Sequence, residues 1–208
     1  ADRLNHVTTA LVILNISMRN SAFTIIEILV VFSMIAIFSV LMIPSYLNFN
    51  RNQEVKQSGL SIKNVIRDTQ NRSQSGEKEL RSCSPLEGFY SQFTTGSNSY
   101  LAGGRCAVSD FDEQSSKLSS NNVTISAFYD ASSHPSSACV EITMSNGSLR
   151  ILFKTISHGV IFYNWNSVTG AGTLLPYSKI GIEVANLSGN KYVIIIGKNG
   201  EIYDVTDC

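Results

Sequence analysis

Between Phe23 and Ile43 the chain runs for 21 residues with a single charged side chain, Glu27. At about 1.5 Å per residue, a helix of that length matches the roughly 30 Å hydrocarbon thickness of a bilayer. One transmembrane helix is therefore expected, with its membrane part over residues 23–46. Glu27 at its head is the anomaly. An ionised side chain inside hydrocarbon costs roughly 2.5–3.5 kcal/mol, so it marks a functional position with an expected partner.

The sequence starts at Ala1 and its first methionine is Met18. Met18 to Ala22 reads as a short polar leader with one positive charge, Arg19, and residues 1–17 as untranslated upstream sequence. A competing reading takes Thr9 to Ile16 as the core of a short secretory signal, but only Arg3 and His6 precede it and no small-x-small cleavage site follows. By the positive-inside rule, Arg19 keeps the N-terminus in the cytoplasm and sends the C-terminal body across the cytoplasmic (inner) membrane.

The stretch Ala22-Phe23-Thr24-Ile25-Ile26-Glu27, followed by an apolar helix, resembles the class III signal of type IV pilins and of the pseudopilins of type II secretion. That resemblance implies cleavage between Ala22 and Phe23 by a membrane prepilin peptidase and N-methylation of the new terminus, Phe23. Glu27 becomes the fifth mature residue, and Pro44 falls at the twenty-second, where the family often has proline. Ala22 stands where relatives usually have Gly, and the leader has one positive charge where they often have several. The partners implied are the prepilin peptidase/N-methyltransferase, other pilin or pseudopilin subunits, a cytoplasmic-membrane assembly platform and membrane lipid. The product would be a type IV pilus or a secretion pseudopilus.

Cleavage would place a cationic amine on Phe23. In a stack of subunits, Glu27 of one chain can approach the amine of the next, neutralising two charges that hydrocarbon penalises. A shifted register leaves both unmatched, so the pair is a registry device rather than a large source of stability. The alternative is a Glu27 that snorkels to the headgroups without a partner. Ser33, Ala36 and Ser39 recur every three residues, either as a strip for close helix approach or as serines bonded back to their own helix. Pro44 lacks an amide hydrogen and is expected to kink or loosen the helix.

Beyond Tyr46 polarity rises while helical periodicity persists. Val55, Gly59, Ile62, Ile66 and Thr69 share one face, and Arg51, Lys56, Lys63 and Arg67 point mainly elsewhere. The helix is expected to reach about Ser73, with Gly76 as its cap, giving one long helix over 23–75. Residues 76–120, rich in Ser, Gly, Asn and Thr, read as an irregular connection with one or two short strands. From 121 to 208 a β-rich head is expected, with strands near 123–129, 138–144, 149–156, 160–165, 180–187, 192–197 and 201–205. Ser145-Asn146-Gly147-Ser148 and Lys198-Asn199-Gly200 read as hairpin turns. The fold class is α+β: a long N-terminal helix packed on an antiparallel sheet or small β-sandwich. The strand-rich head resembles minor pilins or pseudopilins more than major pilins.

Cys83, Cys106, Cys139 and Cys208 all follow the apolar run, on the exported side. Four cysteines allow three pairings; Cys83 with Cys106 and Cys139 with Cys208 are expected, with reduced buried thiols as the alternative. Their spacing argues against zinc. Asp110, Asp112 and Glu113 lack a calcium-loop pattern and read as a solvated acidic turn, Gly103-Gly104 as a turn, and His134 as a solvated loop residue beside Pro135. His6 and His158 lie far from it in sequence, and Trp165 and the tyrosines read as core or interface residues. No cofactor and no catalytic set is expected. With 16 basic and 16 acidic residues and no basic block, nothing argues for nucleic acid. The expectation is a structural subunit and not an enzyme. Its rival is a membrane-anchored extracytoplasmic binding protein or enzyme that does not polymerise.

Overall fold

The computed structural model describes residues 24–76, 83, 85–107, 109–145, 147–155 and 159–205. Its architecture is α+β, with one long helix, α1 (Ile25–Ser75), followed by eleven strands among the described residues. The described chain divides into two units after Tyr46, and α1 runs through the division.

The first unit holds the apolar start of α1, where every described side chain is exposed. An α-helix satisfies its own backbone hydrogen bonds, so such a segment is stable without a protein partner only where apolar side chains also meet an apolar surrounding. This stretch of α1 is long and apolar enough to cross a membrane.

In the second unit α1 buries one face. Val55, Ile62 and Ile66 are almost wholly enclosed, and Ser58, Thr69 and Ser73 line the same stripe. Gly59 belongs to it because a Cβ there would lie 2.1 Å from Cδ1 of Tyr192, so only glycine lets that ring rest on the helix. Gly76, at φ +62°, ends α1, its amide donating to the Ser73 carbonyl at 3.3 Å.

The strands form two antiparallel sheets. One has six strands in the order β3 (Asp110–Lys117), β2 (Ser99–Cys106), β1 (Leu86–Thr94), β6 (Ser148–Lys154), β7 (Val160–Asn166), β8 (Ala171–Leu174). The other has five: β11 (Ile202–Val205), β10 (Lys191–Gly197), β9 (Lys179–Asn186), β4 (Val123–Asp130), β5 (Val140–Glu141). Phe93, Leu149, Ile151 and Phe162 of the first sheet and Ile125, Phe128, Ile182 and Ile194 of the second enter one core with Val55, Ile62 and Ile66. Alternation places most of them, and a register shift between Ile125 and Ala127 brings Phe128 to the same face as Ile125. Ala131, Val193 and Ile195 form a small second core on the other face of the five-stranded sheet.

Three expectations change. Where one or two short strands were expected within 76–120, the described residues supply three long ones, β1 to β3, and β1 is a central strand paired with both β2 and β6. The turn at 145–148 does not close a hairpin. β5 pairs with β4 in one sheet and β6 with β1 in the other, while the Gly147 carbonyl accepts from Thr95 N–H at 2.8 Å, so this turn carries the chain between sheets. The expected strand at 138–144 shrinks to Val140–Glu141, and β8 was not anticipated. The final hairpin forms as expected, with Val193 opposite Val205 and Ile196 opposite Ile202.

Candidate functional site

The start of α1 is built by Thr24 and Glu27. Thr24 N–H donates to Glu27 Oε2 at 2.9 Å, Thr24 Oγ1 donates to the same oxygen at 3.1 Å, and Glu27 N–H donates to Thr24 Oγ1 at 3.3 Å. This reciprocal arrangement is a capping box: Thr24 is the N-cap, Glu27 the third helical residue, and two otherwise orphaned amides are satisfied. The Thr-x-x-Glu spacing of this box is readable in the sequence. The carboxylate also sits in the first helical turn, where the helix dipole favours an anion. Oε1 takes part in none of these three bonds, and the residue is exposed.

The expected processing residues Ala22 and Phe23 lie outside the described residues, as does Cys208. α1 is continuous through Pro44, two residues before the division between the units. Ser33 Oγ donates to the Val30 carbonyl at 2.7 Å and Ser39 Oγ to the Ile35 carbonyl at 2.8 Å, the back-bonded arrangement. Cys83 and Cys106 are disulfide-bonded, their Cα atoms 5.7 Å apart, and Cys139 is also in a disulfide.

The head carries two polar clusters that sequence reasoning missed. Arg150, 3% exposed, lies between the rings of Trp165 and Tyr90, its guanidinium carbon 3.5 and 3.8 Å from their centroids. Nε and Nη2 donate to Gln92 Oε1 at 3.0 and 2.8 Å, and Nη1 donates to Asp110 Oδ2 at 2.6 Å. Tyr90 O–H donates to Glu113; burial and that bond push its phenol far above the ordinary range. Asp112 pairs with Arg72 of α1 at 3.0 Å. Asp110, Asp112 and Glu113 are thus not a solvated acidic turn but partners that hold β3 to the sheet and to the helix. Gly103 and Gly104 are not a turn either: they lie within β2, where the Phe111 ring packs over Gly104.

The second cluster centres on Glu183, 5% exposed. Ser126 Oγ, Tyr129 O–H and Lys191 Nζ donate to its carboxylate at 2.7, 2.8 and 3.0 Å. Burial opposes ionisation, but these three donors outweigh it and hold the carboxyl below its ordinary value. His134 is half-buried rather than solvated, its ring 6.3 Å from that of Tyr203. Lys63, which points away from the apolar face of α1, pairs with Asp204 and fastens α1 to β11.

In both clusters the charged groups are held by hydrogen bonds and ion pairs from neighbouring strands. Among the described residues no group of three or more His, Cys, Asp or Glu side chains is placed to hold a metal ion. α1 itself offers a long apolar surface with a capped, carboxylate-bearing start. No protein-family model, curated protein or solved structure matches this chain.

Proposed function

We propose that this chain is a prepilin-like structural subunit, a minor pilin or pseudopilin and not an enzyme. It is cut after Ala22, methylated at Phe23 and assembled through its N-terminal helix into a filament. One observation carries the reading. Phe23-Thr24-Ile25-Ile26-Glu27 stands at the head of an exposed apolar helix that continues without a break into an amphipathic half packed on a β-rich head. A screw-related contact repeated without closure generates a fibre from such subunits. Mass spectrometry of the N-terminus tests the processing step. N-methyl-Phe23 is the expected terminus, and a mature chain that retains Met18 overturns the proposal.

The capping box favours a second reading, in which Glu27 serves its own helix within a non-polymerising membrane anchor. Glu27→Gln separates the two, because the amide oxygen still caps while the charge is gone. Loss of filament incorporation with a normal helix supports the registry role; a parent chain that enters no filament, with a Glu27→Gln helix as stable as the parent's, supports the anchor.

A further inference from the structure

The strand directions relative to α1 are fixed by side-chain contacts within the head. Thr69 Oγ1 lies 2.7 Å from Ser91 Oγ, and Ser73 Oγ donates to the Phe153 carbonyl at 2.7 Å. Rising numbers in β1 thus run against rising numbers in α1. Thr94 pairs with Ser148 and Leu149 with Asn164, so the end of β7 points toward the start of the head's helix. In the other sheet, Asn186 Nδ2 donates to the Arg51 carbonyl at 3.4 Å, placing the β9–β10 turn beside that same start. The turns at 166–170 and 186–190 therefore emerge at the end where the chain enters the head at Leu47.

Each of these turns presents an apolar side chain at its tip. Leu187 is 100% exposed and Val168 92%, more than Ile25, which at 85% is the most exposed large apolar residue of the apolar segment among the described residues. Single exposed apolar residues are ordinary. Here two tips share one end with exposed Leu47 and Phe49 on α1. Asn166 Oδ1 accepts from Val168 N–H at 2.9 Å and Asn186 Oδ1 from Ser188 N–H at 3.0 Å, so both turns are braced. Exposed Arg51 and Lys117 lie toward this end, with Lys117 paired to Ser99 at the start of β2. The turn at the far end of the β10–β11 hairpin, Lys198-Asn199-Gly200, is polar.

We propose that this end of the head is a lipid-contact surface, with Leu187 and Val168 seated at the headgroup–acyl boundary and Arg51 and Lys117 among the headgroups. The proposal rests on the reading of residues 23–46 as a membrane segment, to which the chain connects the head at Leu47. Because the segment already confines the head to the bilayer, each tip inserts at high effective concentration and serves to fix the head's orientation.

The test uses the full chain with its native disulfides in vesicles of phosphatidylethanolamine and phosphatidylglycerol. An environment-sensitive fluorophore is attached singly at Leu187→Cys, Val168→Cys, Phe32→Cys in the apolar segment, or Ser133→Cys in an exposed loop at the opposite end of the head. The expected result is blue-shifted emission at 187 and 168, quenched by nitroxides placed near the headgroups and protected from aqueous iodide, with 133 remaining open to iodide. Tips that stay open to iodide while position 32 is lipid-protected overturn the proposal, as does shielding at 187 that appears only when copies of the chain cross-link. A water-exposed label at position 32 overturns the membrane reading itself.

Discussion

From Ile25 to Tyr46, α1 exposes every described side chain, whereas from Leu47 to Ser75 it buries Val55, Ser58, Ile62, Ile66, Thr69 and Ser73 along one stripe. The helical assignment runs through both halves, Pro44 included, while the distribution of apolar side chains differs. In the first half they go all the way round, which suits an apolar solvent. In the second they occupy one face, which suits a β-sheet core on one side and water on the other. One helix thus answers to two environments, and the halves should respond differently to the same chemical change.

The largest difference is expected from truncating one isoleucine in each half. Ile62 is fully buried in the shared core, and Ile62→Ala should cost about 2–5 kcal/mol. Ile35, 54% exposed, touches no core, and Ile35→Ala should leave the head's stability unchanged. Urea titration in mild detergent, followed through the single tryptophan, Trp165, reads the head alone. Equal midpoint shifts for the two variants would erase the distinction between the halves.

Small residues sharpen it further. Gly59→Ala gains up to about 1 kcal/mol of helix propensity but drives a methyl group into Tyr192, and the net effect should be a loss of about 1–3 kcal/mol. Ser33→Ala removes only a bond to its own helix, and its midpoint should match that of the parent. A stabilised Gly59→Ala would mean that the Tyr192 ring moves aside freely.

The helix was legible because its signals are local: periodicity placed Val55, Gly59, Ile62, Ile66 and Thr69 on one face, and Gly76 marked the end. Strands β4, β6, β7, β9 and β10 were legible for a similar reason, since β-branched and aromatic residues crowd them. β2 and β3 were not. β3 reads Asp-Phe-Asp-Glu-Gln-Ser-Ser-Lys because it is an exposed edge strand, and Gly103 and Gly104 imitate a turn because two aromatic side chains occupy the space that Cβ atoms would take. The turn at 145–148 carried the local chemistry of a hairpin, but the partner of each flanking strand is set by tertiary pairing that no short window contains. At the helix start the charge of Glu27 was visible and its local role was missed, although Thr24 stood at the spacing a capping box requires. Arg150 and Glu183 were invisible as site-builders, since their partners lie on other strands.

Acid should act on the head through its buried charge. Glu183 is held below the ordinary carboxylate value of 4.5, so its stabilisation is complete above that pH and is lost as pH falls through the lower, folded-state value. Asp204, lowered chiefly by its hydrogen bond from Lys63, adds to the loss in the same direction, though with 44% of its side chain exposed the contribution is screened. Glu183→Gln should cost about 1–2 kcal/mol at neutral pH and flatten the acid limb of the stability curve. An acid limb as steep as the parent's would assign the sensitivity to other carboxylates.

The smallest effect belongs to the first turn of α1 and distinguishes the two roles of Glu27. Thr24→Ala removes the hydroxyl that accepts from the Glu27 amide and should cost about 0.5–2 kcal/mol of local helix stability, with nothing lost in the head. Amide hydrogen exchange over residues 25–28 should quicken in that variant, while Thr24→Ser, which keeps the oxygen, should exchange like the parent. The carboxylate of Glu27 remains in the Thr24→Ala chain and so does the Thr24 amide that bonds it. If filament incorporation survives a frayed first turn, the carboxylate acts between subunits and the cap is secondary. If incorporation falls in step with the exchange protection of residues 25–28, the capped geometry itself is what a neighbouring subunit reads, and the charge and the cap are one device.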